Sequence, residues 1–449
     1  MKNILFYITS IVLILTLSNC GIALHSTKSI WEVCYQAGQT DVNDNFLSGT
    51  EIMYLVSHQG KLYAANGFFG EKPEHAQKTG AQILLKQSVE DPWKLENQFN
   101  PPFKRVKAFK SVTFTTDGRG NTLPKPVSIL IATLSNYEQI LRETIVYTKE
   151  DSGRKWTKNI LQTGRRAFPR AIGQYRDKVT GIDRVFIGCL SGIYTGVYEP
   201  NSPGAVRWNT IPELPLYKSR VMAFAECNGD LYAAIKPAIY KRIDGNQPKW
   251  EIVYEYPAPV YEITQGSGMR GLTAVPKPDG NGEMLLMALE GRESEIVHLD
   301  PSKNYESTVE LDIMKFLREQ WGDFFAEDKP VIVAANDMTK VVDQKTGKPL
   351  YLIGLLAHNN KPEKINSAWY LIRSSEGNYT LREIPAVIDK RRSDMRLMGT
   401  RSILVSPFKS EDGKSVYFGG YFILGPPPQD NTAWTYKTNL ATALAGYEQ

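Results

Sequence analysis

Cysteine, histidine and long apolar runs are all scarce in this chain of 449 residues, and each scarcity closes off a class of protein. Four cysteines and five histidines form no C-x-x-C pair and no Cys–His spacing, so neither a zinc centre nor a thioredoxin-type motif is supported and no metal is expected. The one long apolar stretch, Ile4 to Leu17, has 14 residues, short of the about 20 that cross a bilayer as a helix. A net charge of +5 is far below the density of a dedicated nucleic-acid binder, which sets nucleic acid aside as a partner. What the chain has instead is 35 Gly, 26 Pro, 11% aromatic residues and a hydrophobic share of 42%, the balance of an ordered protein made of many strands and turns rather than long helices.

Lys2 precedes the apolar stretch, the arrangement of a secretory signal. The stretch ends in Leu17-Ser18-Asn19-Cys20-Gly21, which resembles the bacterial lipoprotein signal; Asn19 departs from the Gly, Ala or Ser usual before the modified Cys. That resemblance implies a diacylated Cys20, a lipid-anchored chain in the cell envelope, and an outer-membrane destination left open because no Asp follows Cys20. A plain signal peptide or an uncleaved anchor is the alternative, giving a periplasmic or secreted protein. Residues 1–20 are therefore set aside and 21–449 read as one domain. Export would permit a disulfide among Cys34, Cys189 and Cys227, but the odd count leaves a thiol over, and buried structural thiols are the expectation.

From residue 50 one series recurs: an alternating apolar strand, a Gly/Asp/Asn turn, a second strand, a third, and a Trp-led fourth. The clearest copy runs Arg220 to Glu226, turns at Cys227-Asn228-Gly229-Asp230, and continues through Leu231 to Ile235, Ala238 to Arg242 and Lys249-Trp250 to Tyr254. Asn-Gly between alternating runs is a strong hairpin signal. Copies open at Glu51, Arg105, Arg170, Arg220, Arg270, Lys329 and Arg401. The last has three strands before the chain ends, while Trp31-Glu32-Val33-Cys34-Tyr35 reads like the outer strand Trp250-Glu251-Ile252-Val253-Tyr254. Lending that first strand to the last sheet removes an exposed edge pair, so the pattern predicts an all-β, seven-bladed β-propeller closed by residues 30–36, against the alternative of separate β-sandwiches. One short helix is expected after a cap at Asp312, with Met314, Leu317 and Trp321 on one face and Gly322 as its stop.

Six of the seven residues opening the inner strands are cationic: Arg105, Arg170, Arg220, Arg270, Lys329 and Arg401. If the blades are phased correctly these side chains meet at the mouth of the channel, where guanidinium groups suit a carboxylate, phosphate or sulfate; they could equally pair with acids of neighbouring blades. Lys390, Arg391, Arg392 and Arg396 add to the field on that face, or form a solvated loop. Loops on the same side contribute Tyr137, Glu138, Lys236, Glu290, Arg292, His358 and Asn359; Glu290 and His358 are the acid–base candidates, neither carried by a spacing signature. Asp41-x-Asn43-x-Asn45 has the outline of a calcium loop, but Phe46 stands where the turn needs Gly.

Asp151-Ser152-Gly153-Arg154-Lys155-Trp156 resembles the Asp box of sialidase-type propellers, with Lys149 and Lys155 in place of its Ser and Thr, and fainter traces occur before Trp93 and Trp250. In that family the box is a stabilising turn on the face opposite the active site. The site itself uses three arginines on a sugar carboxylate, a Tyr paired with an acid, and an Asp as general acid. Phe168-Pro169-Arg170 is similar to the setting of the first of those arginines, although Ala171 and Ile172 break the match. The favoured reading is an exported propeller whose basic face binds an anionic small molecule, glycan or protein partner without catalysis and without a cofactor. A glycoside hydrolase or lyase for acidic sugars, and a scaffold subunit of an envelope assembly, are the alternatives.

Overall fold

The turn Asn228-Gly229 shows how this chain builds its sheets. Both residues take positive φ, 50° and 72°, the geometry that lets a two-residue turn follow the twist of its strands. Val221–Cys227 thereby folds back on Asp230–Ile235, and Ala238–Ile243 and Lys249–Glu255 continue the antiparallel meander. The structure is a computed structural model that describes residues 31–445, apart from 69–79, 100–102, 137–142, 152, 154, 165–167, 218, 257–267, 291–293, 322–332, 358–367, 386–396, 398 and 422–430. Cys20, Arg292, Lys329, His358 and the basic 390–396 segment lie outside the described residues.

Within residues 31–449 the described strands group into seven meanders of four, numbered here as blades in chain order, with Leu214–Pro215 as a fifth strand on the third and Gln39–Thr40 paired with Phe46–Leu47 apart from them. Their inner strands are Glu51–His58, Phe103–Thr116, Ala171–Arg176, Val221–Cys227, Gly268–Pro276, Val333–Val342 and Gly399–Val405. Each inner strand packs against the next, and the last returns to the first. At three junctions the approach is close enough for ladder pairing: Gly67 with Arg105, Leu356 with Gly399, and Tyr421 with Glu51. A Cβ at Gly67 would overlap the Cβ of Arg105, so glycine there is a condition of the contact.

The seventh blade is completed by the first strand of the described chain, as the pattern predicted. Glu32–Gln36 pairs antiparallel with Trp434–Asn439, Glu32 opposite Lys437 and Gln36 opposite Trp434. Trp31 enters the adjoining core, its ring edge-on to Phe418 at 5.2 Å, beside Tyr370 and Trp434. Burying one such ring contributes roughly 2–3 kcal/mol, so closure is driven by apolar packing as well as by the ladder.

Polar side chains staple blades together away from the axis. Asp183 of blade 3 accepts from the backbone N–H of Thr115 at 2.5 Å and of Thr116 at 3.1 Å in blade 2. Asn228 and Glu283 exchange hydrogen bonds between blades 4 and 5. Asp151, from the Asp-box-like turn, lies 2.6 Å from His58 Nε2, and His58 Nδ1 lies 2.7 Å from Ser111 Oγ, tying blade 1 to blade 2. The helix forms at Ile313–Trp321, with the Lys315 N–H donating to Asp312 Oδ1 at 2.9 Å. Leu317 of the expected face is buried and Met314 packs partly buried beside it, with Ile313 joining them in the core between blades 5 and 6. Asp41 gathers backbone donors: Asn43 and Asn45 N–H donate to one oxygen and Leu95 N–H to the other. Cys34, Cys189 and Cys227 are free thiols, each pushed up to about 12 chiefly by burial.

Candidate functional site

Six of the seven inner strands carry a β-bulge near their N-terminal ends. In five of them the register skips one residue at a time: Met53, Lys107, Met222, Arg270 and Arg401, with Lys104 skipped as well in blade 2. In blade 6 Asn336 and Asp337 stand opposite Gly354 alone. A bulge leaves its extra residue out of the alternation between faces and re-aims it. Here Met53, Met222, Arg270 and Arg401 line one cavity of about 200 Å³. Arg170, just ahead of its unbulged strand, joins them with Tyr54, Ala223, Gly271, Leu272, Thr273 and Met338. Three guanidinium groups from blades 3, 5 and 7 thus share one axial space.

Two buried carboxylates compensate part of that charge. Glu51, wholly buried, accepts from Arg401 Nη2 at 2.9 Å and from Arg105 Nη1. Burial by itself would raise its carboxyl, but Arg105 and Arg401 overcome that and hold it at about 2. Glu290, 6% exposed, accepts from Arg270 Nη1 and lies 3.4 Å from Lys236 Nζ. Burial opposes its ionisation too, yet Arg270 and Lys236 draw it below the usual carboxylate range. Arg401 also lies 4.9 Å from the ring centre of Tyr421.

Three cations make no direct ion pair with a carboxylate among the described residues, although Glu290 acts on Arg170 and Arg220, and Glu51 on Lys107, from further away. Burial first, and Arg270 next, lower the Arg170 guanidinium to about 9. Lys107, the bulged residue of blade 2, is held well below the ordinary lysine value by burial and then by Arg105 and Arg170. Arg220 lies 5.9 Å from the ring centre of Phe168 and is likewise lowered by burial. The axis therefore carries an excess of partly buried positive charge that a bound anion would relieve.

The bulges correct the expected phasing. Arg170, Arg270 and Arg401 reach the cavity; Arg105 turns to Glu51 and Arg220 to Phe168, because in blades 2 and 4 the residues re-aimed by the bulge are Lys107 and Met222, two positions further on. Glu51, the one acid among the seven opening residues, is the counter-ion of two of them. Glu290, the acid–base candidate among the described residues, is held as a carboxylate between Arg270 and Lys236, a state that suits a base or a counter-ion rather than a proton donor. Sequence alternation gave no sign of Lys107, Tyr54 or the methionines.

No protein-family model and no curated protein matches this chain. Among solved structures it is similar to the α-L-arabinofuranosidase Arb93A of Fusarium graminearum, at 13% identity and a TM-score of 0.44 over 92% of this chain and 99% of that one. The periplasmic gluconolactonase of Pseudomonas aeruginosa follows at 11% and 0.41, over 78% and 90%. The NanB sialidase of Streptococcus pneumoniae stands at 9% and 0.41, over 92% and 70%. These are likenesses of fold, and any activity has to be argued from the axial cavity itself.

Proposed function

We propose that the protein binds a small anionic ligand, of the class of an acidic monosaccharide, in the axial cavity through Arg170, Arg270 and Arg401. The observation that carries this is the convergence of three guanidinium groups on one space, one of them, Arg170, in no direct ion pair with a carboxylate among the described residues. A cavity of about 200 Å³ has room for a ligand the size of a sugar ring. Met53, Met222 and Met338 provide adaptable apolar walls. Calorimetric titration of the full chain with sialic acid, glucuronate and phosphate tests the reading: saturable binding that Arg170→Met weakens supports it, and no binding by any of the three removes it.

A hydrolase acting on acidic sugars is the second reading, favoured by two features of the same axis. Tyr54 lines the cavity with the three arginines, its hydroxyl donating to the Lys107 carbonyl at 2.8 Å. Asp337 occupies the blade-6 register that in blades 5 and 7 carries Arg270 and Arg401. Release of an aryl sialoside or aryl uronide, lost in Tyr54→Phe and Asp337→Asn, would establish turnover; saturable binding with no release leaves the binding function alone.

A further inference from the structure

Three side chains far apart in sequence form an unbroken hydrogen-bond relay at the junction of blades 1 and 2. Ser111 Oγ lies 2.7 Å from His58 Nδ1, and His58 Nε2 lies 2.6 Å from Asp151 Oδ1. His58 ends the inner strand of blade 1, Ser111 sits within that of blade 2, and Asp151 begins the Asp-box-like turn after Glu143–Glu150. The two ends of the relay fix the imidazole between them. A carboxylate only accepts, so Nε2 carries the ring proton and Nδ1 offers its lone pair to the Ser111 hydroxyl, which donates. Gln59 Nε2 donates to the other oxygen of Asp151 and holds the carboxylate towards the ring. The order is that of nucleophile, base and orienting acid, with the base 5% exposed and Ser111 only half-buried. A donor stands beside the hydroxyl as well. Thr113 N–H donates to Gln174 Oε1 at 3.1 Å and Thr113 C=O accepts from Gln174 Nε2 at 2.6 Å, so Thr113 turns its backbone away from Thr122–Asn136. The register from Phe109 to Phe114 is unbroken, and backbone direction alternates along a strand, so Ser111 turns its N–H to the same edge, outside the ladder.

We infer that Ser111, His58 and Asp151 form an esterolytic site for short acyl groups such as acetyl, separate from the axial cavity, which none of the three lines. Short acyl groups are specified because Ser111 lies within a strand rather than on a projecting turn, so a reactant has to reach the hydroxyl between neighbouring side chains. Ser111 Oγ attacks the ester carbonyl carbon as its proton passes to His58 Nδ1, and the imidazolium that forms keeps its Nε2–H on Asp151. The carbonyl electron pair moves onto oxygen, where the Ser111 N–H is the available donor. When that pair returns, the bond to the alkoxide breaks and the alkoxide takes the proton from Nδ1. Water then attacks the acyl-serine, giving its proton to His58, and the Ser111 oxygen leaves with that proton, releasing the carboxylic acid.

The probe on the full chain is diisopropyl fluorophosphate, which phosphorylates serines activated by a histidine, with chymotrypsin as the control for the reagent. Peptide mass spectrometry should place the diisopropylphosphoryl group on Ser111, and p-nitrophenyl acetate should give a stoichiometric burst of nitrophenolate that Ser111→Ala lacks. Asp151→Asn, a change at the surface, should slow both reactions at least about 100-fold in a chain that calorimetry shows to be folded, an effect that a relay serving only to join blades would not produce. No label on Ser111 in the wild type under conditions that inactivate chymotrypsin, or unaltered labelling and burst in Asp151→Asn, would overturn the inference and leave anion binding in the axial cavity intact. An equal burst from p-nitrophenyl octanoate would overturn the restriction to short acyl groups.

Discussion

Replacing Glu51 by Gln strikes the point where the ring closes on itself. The carboxylate belongs to blade 1, and its two partners come from the blades on either side, Arg105 from blade 2 and Arg401 from blade 7. Removing one member of a buried ionic cluster costs about 3–5 kcal/mol, because the remaining charges stay buried without compensation. The titration behaviour gives a similar size: a carboxyl moved from 4.5 to about 2 corresponds to roughly 3 kcal/mol at about 1.4 kcal/mol per pH unit. Its folded value lies below its unfolded one, so this contribution is present above pH ~4.5 and fades as the pH falls towards 2. For a folded unit spanning residues 31–449, with an unfolding entropy of about 2 cal/mol/K per residue, the loss lowers Tm by roughly 3–6 °C. Scanning calorimetry at pH 7 and again near pH 3 measures it. Equal melting temperatures at pH 7, or a deficit of the same size at both pH values, would refute the reasoning.

Other substitutions separate binding from folding. Arg170→Met should weaken binding of phosphate or glucuronate by about 10–100-fold, while leaving thermal stability unchanged or raised, as denaturant melts will show. Trp31→Ala removes a nearly buried ring from the core of the closing blade and should cost about 3–5 kcal/mol in equilibrium unfolding; a loss below 1 kcal/mol would contradict closure by apolar packing. Cys20→Ser should abolish incorporation of radiolabelled palmitate in a bacterial host if the N-terminal signal is of the lipoprotein kind, and full labelling of that variant would exclude Cys20 as the acceptor.

Much of the fold was legible because its signals are local. Asn228-Gly229 dictates a hairpin by backbone conformation alone, and the kinship of Trp31-Glu32-Val33 with Trp250-Glu251-Ile252 marked the closing strand before any pairing was known. The site was legible by residue type and misplaced by position. Cations opening successive blades signalled a basic axis, but the alternation of a strand cannot reveal which residue the pairing skips. A bulge is a property of two strands in register, and it decides between Arg105 and Lys107 in blade 2 and between Arg220 and Met222 in blade 4. Glu51 was hidden for a related reason: in the sequence it is the exception to a basic series, whereas around the ring it is the charge that joins the first blade to the last.

The central claim is that ring closure gathers Arg170, Arg270 and Arg401 around one space built for an anion. Anomalous diffraction from crystals of the protein soaked in selenate tests this most directly. The account predicts a peak within hydrogen-bond reach of all three guanidinium groups, and loss of that peak in Arg170→Met. Peaks confined to the outer surface, with the axis empty in the wild type, would contradict it.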